Sequence, residues 1–232
     1  MRERTIPHAI SPEASGVTGP LLDSEAALRA GTAALALLDP VIARLVAEGA
    51  EPVLRKRAPG FEGLASIVVG QQISTASAAA IWARLTARLP DLTATALAAA
   101  PDETLREAGL SAPKIRTLRA AAQAVIDGVL PLDDLHAIPA DEAHRRMVAV
   151  HGIGPWTADV YLLFCLGHPD AFPAGDLALQ EAARLADGRE TRPNAAALTA
   201  RAEAWRPWRG VAATVLWAYY RVAKARDGAP VP

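Results

Sequence analysis

The stretch from Asp141 to Glu181, DEAHRRMVAVHGIGPWTADVYLLFCLGHPDAFPAGDLALQE, constrains this chain more than any other. A helical pattern runs from Asp141 to Val150, with Met147 and Val150 on one side and Arg145 and Arg146 toward solvent. It stops at His151-Gly152-Ile153-Gly154-Pro155. Glycine permits positive φ and close backbone approach. Ile153 is an odd side chain to expose in a turn, so it reads as an inward plug between two helices. Pro155 suits the first turn of a second helix, where a missing N–H is no loss. That helix carries Trp156, Val160, Leu163 and Phe164. Its start aims free N–H groups and a positive dipole end past the turn, and no side chain there blocks a phosphate. A lone Gly-x-Gly is weak, since many tight turns share it. Here it is followed by Phe172-Pro173-Ala174-Gly175-Asp176, which leaves one acidic residue in a Pro/Gly loop.

The remainder reads as helical. Hydrophobic residues make up 51% of the 232, alanine and leucine dominate, and alternating β-branched runs are scarce. Asp23 or Ser24 can cap a helix to about Leu38, and Asp39-Pro40 can start the next. Ala58-Pro59-Gly60 breaks the pattern at a plausible lobe boundary. Phe61 to Val69 follows as a helix. Gly70-Gln71-Gln72-Ile73-Ser74-Thr75 then interrupts an apolar run, and Ser74 or Thr75 can cap a helix through Trp82 and Leu89. The two glutamines either satisfy helix ends or serve something outside the fold. Gly109–Pro113 forms a turn before a helix from Lys114 to Ile126, and Asp141 looks like the cap of the hairpin's first helix. This gives about ten helices and no strand. Residues 1–22, with Pro7, Pro12 and Pro20, read as an extended arm.

No apolar run approaches the roughly 20 residues of a membrane span, and the start lacks the apolar core of a signal peptide. A cytoplasmic location is the default, with no membrane association. The one cysteine, Cys165, excludes an intrachain disulfide and a four-cysteine cluster. The net charge of −1 weakly opposes nucleic-acid binding, but its distribution matters more. Six basic residues stand against Glu203 between Arg201 and Arg226, a local +5. Further clusters are Arg55-Lys56-Arg57, Lys114/Arg116/Arg119 and Arg145-Arg146. Any one of these reads first as a solvated helix face.

Gly152-Ile153-Gly154-Pro155-Trp156-Thr157-Ala158, with Asp176 22 residues after Gly154, resembles the helix-hairpin-helix superfamily of DNA base-excision glycosylases. Gly70-Gln71-Gln72-Ile73-Ser74 and Trp205-Arg206-Pro207-Trp208-Arg209 are similar to the 3-methyladenine DNA glycosylase II group within it. The resemblance spans roughly Asp23 to Tyr220. It implies an all-α fold of two helical lobes around a cleft. One lobe combines residues 23–59 with 170–232, and the other, 60–169, carries the hairpin. The additional N-terminal β domain of longer relatives is not expected from residues 1–22.

The resemblance makes Asp176 the catalytic carboxylate, although alone it is an adequate N-cap. Asp170 is a weaker candidate, expected to shape the loop. Relatives that also cut the strand carry a lysine where this chain has Trp156, so a monofunctional enzyme is expected. Trp156, Trp217 and Tyr161 would wall a base pocket, with Tyr219 and Tyr220 as less certain companions. Val160 stands where some relatives have an aromatic. Gly152, Ile153 and Gly154 would hold the DNA backbone, the Gln71-Gln72 turn would be the intercalating loop with Gln72 as the wedge in the gap left by a flipped base, and Lys114 and Arg209 would touch the strand. No cofactor is implied. A sodium or potassium ion on the backbone of Val148, Val150 and Ile153 is compatible with the family. The implied partner is double-stranded DNA with alkylated bases, met by a monomer, nucleoid-associated through that DNA. The alternatives are a glycosylase for another lesion and a non-catalytic module that binds damaged DNA; an aromatic pocket beside Asp176 argues against the second.

Overall fold

The structure is a computed structural model, described here for residues 19–226. The expected arm lies mostly outside the described residues. Among these there are twelve α-helices, two short 3-10 turns and no strand. The all-α expectation therefore holds, with more and shorter helices than the pattern suggested. The segment after Leu92, read as one or two short helices, holds two of six residues, α5 (Ala94–Ala99) and α6 (Asp102–Glu107), and two further helices form over Ala195–Ala202 and Arg209–Arg226.

Side-chain caps set six of the starts. Ser24 accepts from Ala27 N at α1 (Glu25–Leu38), and Asp39 accepts from Val41 N at α2 (Pro40–Ala47). α3 (Gly60–Gly70) begins after Pro59 without such a cap. Ser74 caps α4 (Thr75–Arg88) by accepting from Ser77 N. α7 runs over Ala112–Ile126, two residues earlier than expected, because Pro113 fits its first turn. The hairpin consists of α8 (Ala140–Val148) and α9 (Pro155–Phe164). Asp176 caps α10 (Leu177–Ala186), Asn194 caps α11 (Ala195–Ala202), and α12 (Arg209–Arg226) ends the described chain.

Asp141 is not the cap of α8. That position belongs to Pro139, and the Asp141 carboxylate turns instead to Arg206 and Arg209 at 2.6 and 2.8 Å.

α12 packs on α1, α2 and α10, which joins both ends of the chain. α3 packs on α4, α7 and α9, and α9 packs on α8. One continuous apolar cluster runs through both groups, from Leu28 and Leu35 through Leu64 and Val68 to Leu162 and Leu216. α9 is buried around most of its circumference, which is why its sequence is apolar on nearly every face. Such a helix cannot move without opening the core, so it is a rigid base for whatever its ends present.

Candidate active site

The hairpin turn is built as its sequence implies. Ile153 is 3% exposed and plugs the core between α8 and α9, worth about 1.5–3 kcal/mol over leaving it in water. Gly152 has φ +85°, and a Cβ there would lie 2.0 Å from Thr117 Oγ1 on α7. Both conformation and space therefore demand glycine. Gly154 differs: its φ of −81° suits any residue, and a Cβ would meet nothing. The N–H groups of Gly152, Gly154 and Trp156 have no acceptor among the described residues. Three free donors on an exposed turn at a helix start form a surface that suits a phosphate.

α9 then carries Trp156, Val160 and Phe164 at four-residue spacing, one above another on a single stripe. This stripe is one wall of a cavity of about 400 Å³. The opposite wall is α12, through Trp217, Tyr220 and Arg221, again on one helix face. Ile67, Gly70, Ile73 and Ala78, from α3, the turn after it and α4, line another part, and Arg55 and Arg57 reach in from the strap before α3. Trp217 and Phe164 stack with centroids 5.6 Å apart and planes at 29°.

Asp176 also lines this cavity. Its Oδ1 accepts from Leu179 N at 2.8 Å and from Trp217 Nε1 at 3.1 Å, and its Oδ2 accepts from Trp156 Nε1 at 3.2 Å. All three partners are N–H donors, as an ionised carboxylate requires. A carboxylate offers about four lone-pair positions, so one remains for a water or a sugar group. The loop behind it is fixed. Gln180 Nε2 donates to Ala174 O, Asp176 N donates to Pro173 O, and Gly210 N donates to Pro169 O, an approach so close that a Cβ at Gly210 would stand 2.7 Å from that oxygen.

Asp170 does something else. It is 7% exposed, and its two oxygens accept from Arg206 Nη1, from Arg209 Nε and Nη2, and from the Arg209 backbone N–H. This ties the loop to α12. Arg209 is 5% exposed and also bonds Asp141 and Glu203. Burial alone would lower its pKa, but Asp170 and Asp141 hold it above the ordinary value. The expectation that Arg209 touches a DNA strand is corrected: its guanidinium is buried and its donors are taken by Asp141, Asp170 and Glu203.

Tyr161 is corrected likewise. It points into the core, is fully buried, and its hydroxyl accepts from Gly60 N at 3.1 Å. Burial pushes its phenol well above the ordinary range. It does not line the cavity. Cys165 is equally inert, its thiol pushed up to about 12 by burial. Lys114 donates to Val69 O at 2.5 Å, at the end of α3, and burial lowers its pKa. The carbonyl that it caps leads directly into the glutamine turn. There Gln71 Nε2 donates to Thr157 Oγ1 at 2.7 Å, which anchors the turn to α9. Gln72 is exposed with φ +56°, a left-handed conformation that a non-glycine residue holds only when its surroundings fix it.

Tyr220, a companion named from the sequence, lines the cavity, whereas Phe164, Arg221, Arg55 and Arg57 were not singled out as pocket residues from the sequence. The four-residue spacing from Trp156 to Phe164, and the adjoining Tyr220 and Arg221 one turn after Trp217, carried that signal. Among the described residues no group of three or more His, Cys, Asp or Glu could hold a metal ion, and no helix is long and apolar enough to cross a membrane.

The model of the HhH-GPD superfamily base excision DNA repair protein matches residues 65–208, which hold the glutamine turn, the hairpin and Asp176. The chain belongs to this superfamily. A probable bifunctional transcriptional activator/DNA repair enzyme AlkA of Mycobacterium tuberculosis is 35% identical over 191 residues, covering 73% of this chain and 38% of that protein. The chain thus spans well under half of that relative. DNA-3-methyladenine glycosylase 1 of Schizosaccharomyces pombe is 29% identical, covering 73% of this chain and 76% of that protein. A DNA-3-methyladenine glycosidase structure from Bacillus halodurans superposes with a TM-score of 0.77 at 28% identity, covering 88% of this chain and 93% of that one.

Proposed function

We propose that the chain is a monofunctional DNA glycosylase that removes alkylated purines, such as 3-methyladenine and 7-methylguanine, from double-stranded DNA. The observation that carries this reading is Asp176, held by two indole N–H groups at the mouth of an aromatic cavity. Breaking an N-glycosidic bond leaves positive charge on the sugar. A fixed carboxylate with one free acceptor position stabilises that charge and orients a water for attack at C1′. The reaction thus resembles sugar hydrolysis, with its oxocarbenium-like state. The base must leave the stack to reach the cavity, where Trp156, Trp217 and Phe164 take its faces. Cation–π attraction favours a positively charged base by about 0.5–2 kcal/mol. The free N–H groups of the hairpin hold a phosphate, and Gln72 occupies the vacated space in the duplex while Gln71 anchors the turn. Lys114 supports this turn and is a lesser contact to the strand.

No lysine lines the cavity among the described residues, and Trp156 supplies an N–H but no amine nucleophile. Water is then the nucleophile, and the products are a free base and an abasic site. A monovalent cation on the carbonyls of Val148, Val150 and Ile153 fits the same scheme but is not required. Residues 23–59 with 170–232 would form one lobe and 60–169 the other, with the cleft between them, in a monomer acting at the nucleoid. The relatives support the same chemistry: two are named for 3-methyladenine, and a Schizosaccharomyces pombe 3-methyladenine DNA glycosylase in complex with abasic DNA superposes with a TM-score of 0.68 at 27% identity, covering 81% of this chain and 95% of that one.

The test is base release from duplexes carrying 7-methylguanine, by wild type and Asp176→Asn. Asparagine caps a helix as well as aspartate, so the variant stays folded. Excision should fall by on the order of 10²-fold or more, the scale of losing a main charge-stabilising group. Binding of damaged DNA without any base release by wild type would instead favour a non-catalytic module. Borohydride should trap no protein–DNA adduct.

A further inference from the structure

The cavity contains more positive charge than a pocket for cationic bases needs. Arg55, Arg57 and Arg221 line it together with one carboxylate, Asp176, a formal +2. No carboxylate pairs with any of the three among the described residues, whereas Arg201, Arg206 and Arg209 are all paired. Arg221 is half-buried, one helical turn beyond Trp217. Arg55 and Arg221 line the same space beside Trp217, and burial, then the charge of Arg55, holds the Arg221 pKa below the ordinary value. Arg55 and Arg57 are exposed, so the cost of an unpaired charge falls on Arg221, and such a charge in a cleft marks a functional group.

Resting on the glycosylase reading above, we propose that Arg221, assisted by Arg55 and Arg57, extends the lesion range to uncharged purines by stabilising the base as it departs. When the C1′–N9 bond breaks, its electron pair goes to the base. A cationic N-alkylpurine is neutralised by that pair and leaves unaided. An uncharged purine becomes an anion, with the charge spread over its ring nitrogens and any exocyclic oxygen. Water adds to C1′ and releases a proton, and the departing anion takes one from solvent, so atoms and charge balance. A guanidinium does not give up its own proton at neutral pH. It donates hydrogen bonds to the charge that appears only in the transition state, where such donors are most effective. The same three charges repel a base that arrives positively charged, so they shift selectivity in one direction.

The experiment measures second-order excision rate constants, below saturating enzyme, on duplexes containing hypoxanthine, ethenoadenine or 7-methylguanine. Wild type, Arg221→Gln and Arg55→Gln are compared, with circular dichroism as the check on folding. The ratio of uncharged to cationic excision should fall about tenfold or more in Arg221→Gln and by less in Arg55→Gln. Arg221→Lys should recover part of the ratio, since it restores charge without the planar fork. If both lesion classes slow equally and the ratio holds, the arginines serve phosphates and the proposal is overturned. It is also overturned, with the glycosylase reading intact, if wild type frees 7-methylguanine but neither uncharged base. If wild type frees none of the three, the glycosylase reading itself falls.

Discussion

Trp217 donates its indole N–H to Asp176 at 3.1 Å while its ring stacks on Phe164, so one side chain both holds the carboxylate and walls the cavity. Trp217→Phe separates these roles: the ring remains and the donor goes. A hydrogen bond to a charged group is worth about 1.5–3 kcal/mol, and about 1.4 kcal/mol is tenfold in rate. Single-turnover excision of 7-methylguanine should therefore fall roughly 10- to 100-fold, while affinity for abasic duplex stays close to that of wild type. An unchanged rate would mean that Trp156 and the Leu179 N–H hold Asp176 sufficiently without it.

The parts of this site that follow from backbone chemistry were legible in the sequence. Gly152 announced a positive φ, Pro155 a helix start, Ile153 a buried plug, and Asp176 a cap; the structure has each. Residues whose role depends on which way a helix is rotated were harder. Tyr161 is five positions after Trp156, about 140° round α9 from it, which turns its side chain into the core, and a resemblance attached to residue type could not see that rotation. Arg209 illustrates a second limit. Its partners Asp141 and Asp170 are 68 and 39 residues away, so a basic residue beside tryptophans read as a DNA contact until the fold brought the carboxylates around it.

The two turn glycines should behave oppositely. Gly152→Ala places a Cβ against Thr117 at φ +85°, and both the clash and the strain destabilise. A loss of about 1–3 kcal/mol is expected in urea unfolding. Gly154→Ala has open space and an ordinary φ, so its stability should stay within about 0.5 kcal/mol of wild type. Its methyl group stands on the surface proposed to face DNA, so affinity for duplex should drop. Equal stability of the two variants would show that the turn at Gly152 relaxes.

Asp170→Asn should look like a stability variant. The substitution leaves the buried Arg209 guanidinium with less compensation, and breaking such a pair costs about 3–5 kcal/mol. Excision per folded molecule should change far less than in Asp176→Asn, because Asp170 is enclosed with Arg206 and Arg209 and does not line the aromatic cavity. The inverse result, full stability with no excision, would move the reacting carboxylate to Asp170. A companion variant, Arg209→Gln, should leave the salt dependence of DNA affinity unchanged, since a phosphate contact would contribute close to one unit of slope.

His144 on α8 and Asp159 on α9 are bonded at 2.8 Å across the hairpin. The bond to Asp159 raises the imidazole pKa above its ordinary value of 6.5; burial works against it, and the charge of Asp141 helps while that of Arg209 opposes. Burial pushes the Asp159 carboxyl upward, against the pull of His144. A histidine whose folded pKa is raised contributes stability that is fully present below its unfolded pKa and is lost as pH rises through the folded one. The stability advantage of wild type over His144→Asn should therefore be greatest near about pH 6 and shrink toward about pH 8.5, in urea unfolding at constant ionic strength. Because the pair clasps the hairpin behind Trp156, hydrogen exchange of the first turn of α9 should quicken over the same interval in wild type and show no such step in the variant. An advantage that grew with pH would mean that neutral His144, not its cation, is the form that the hairpin holds.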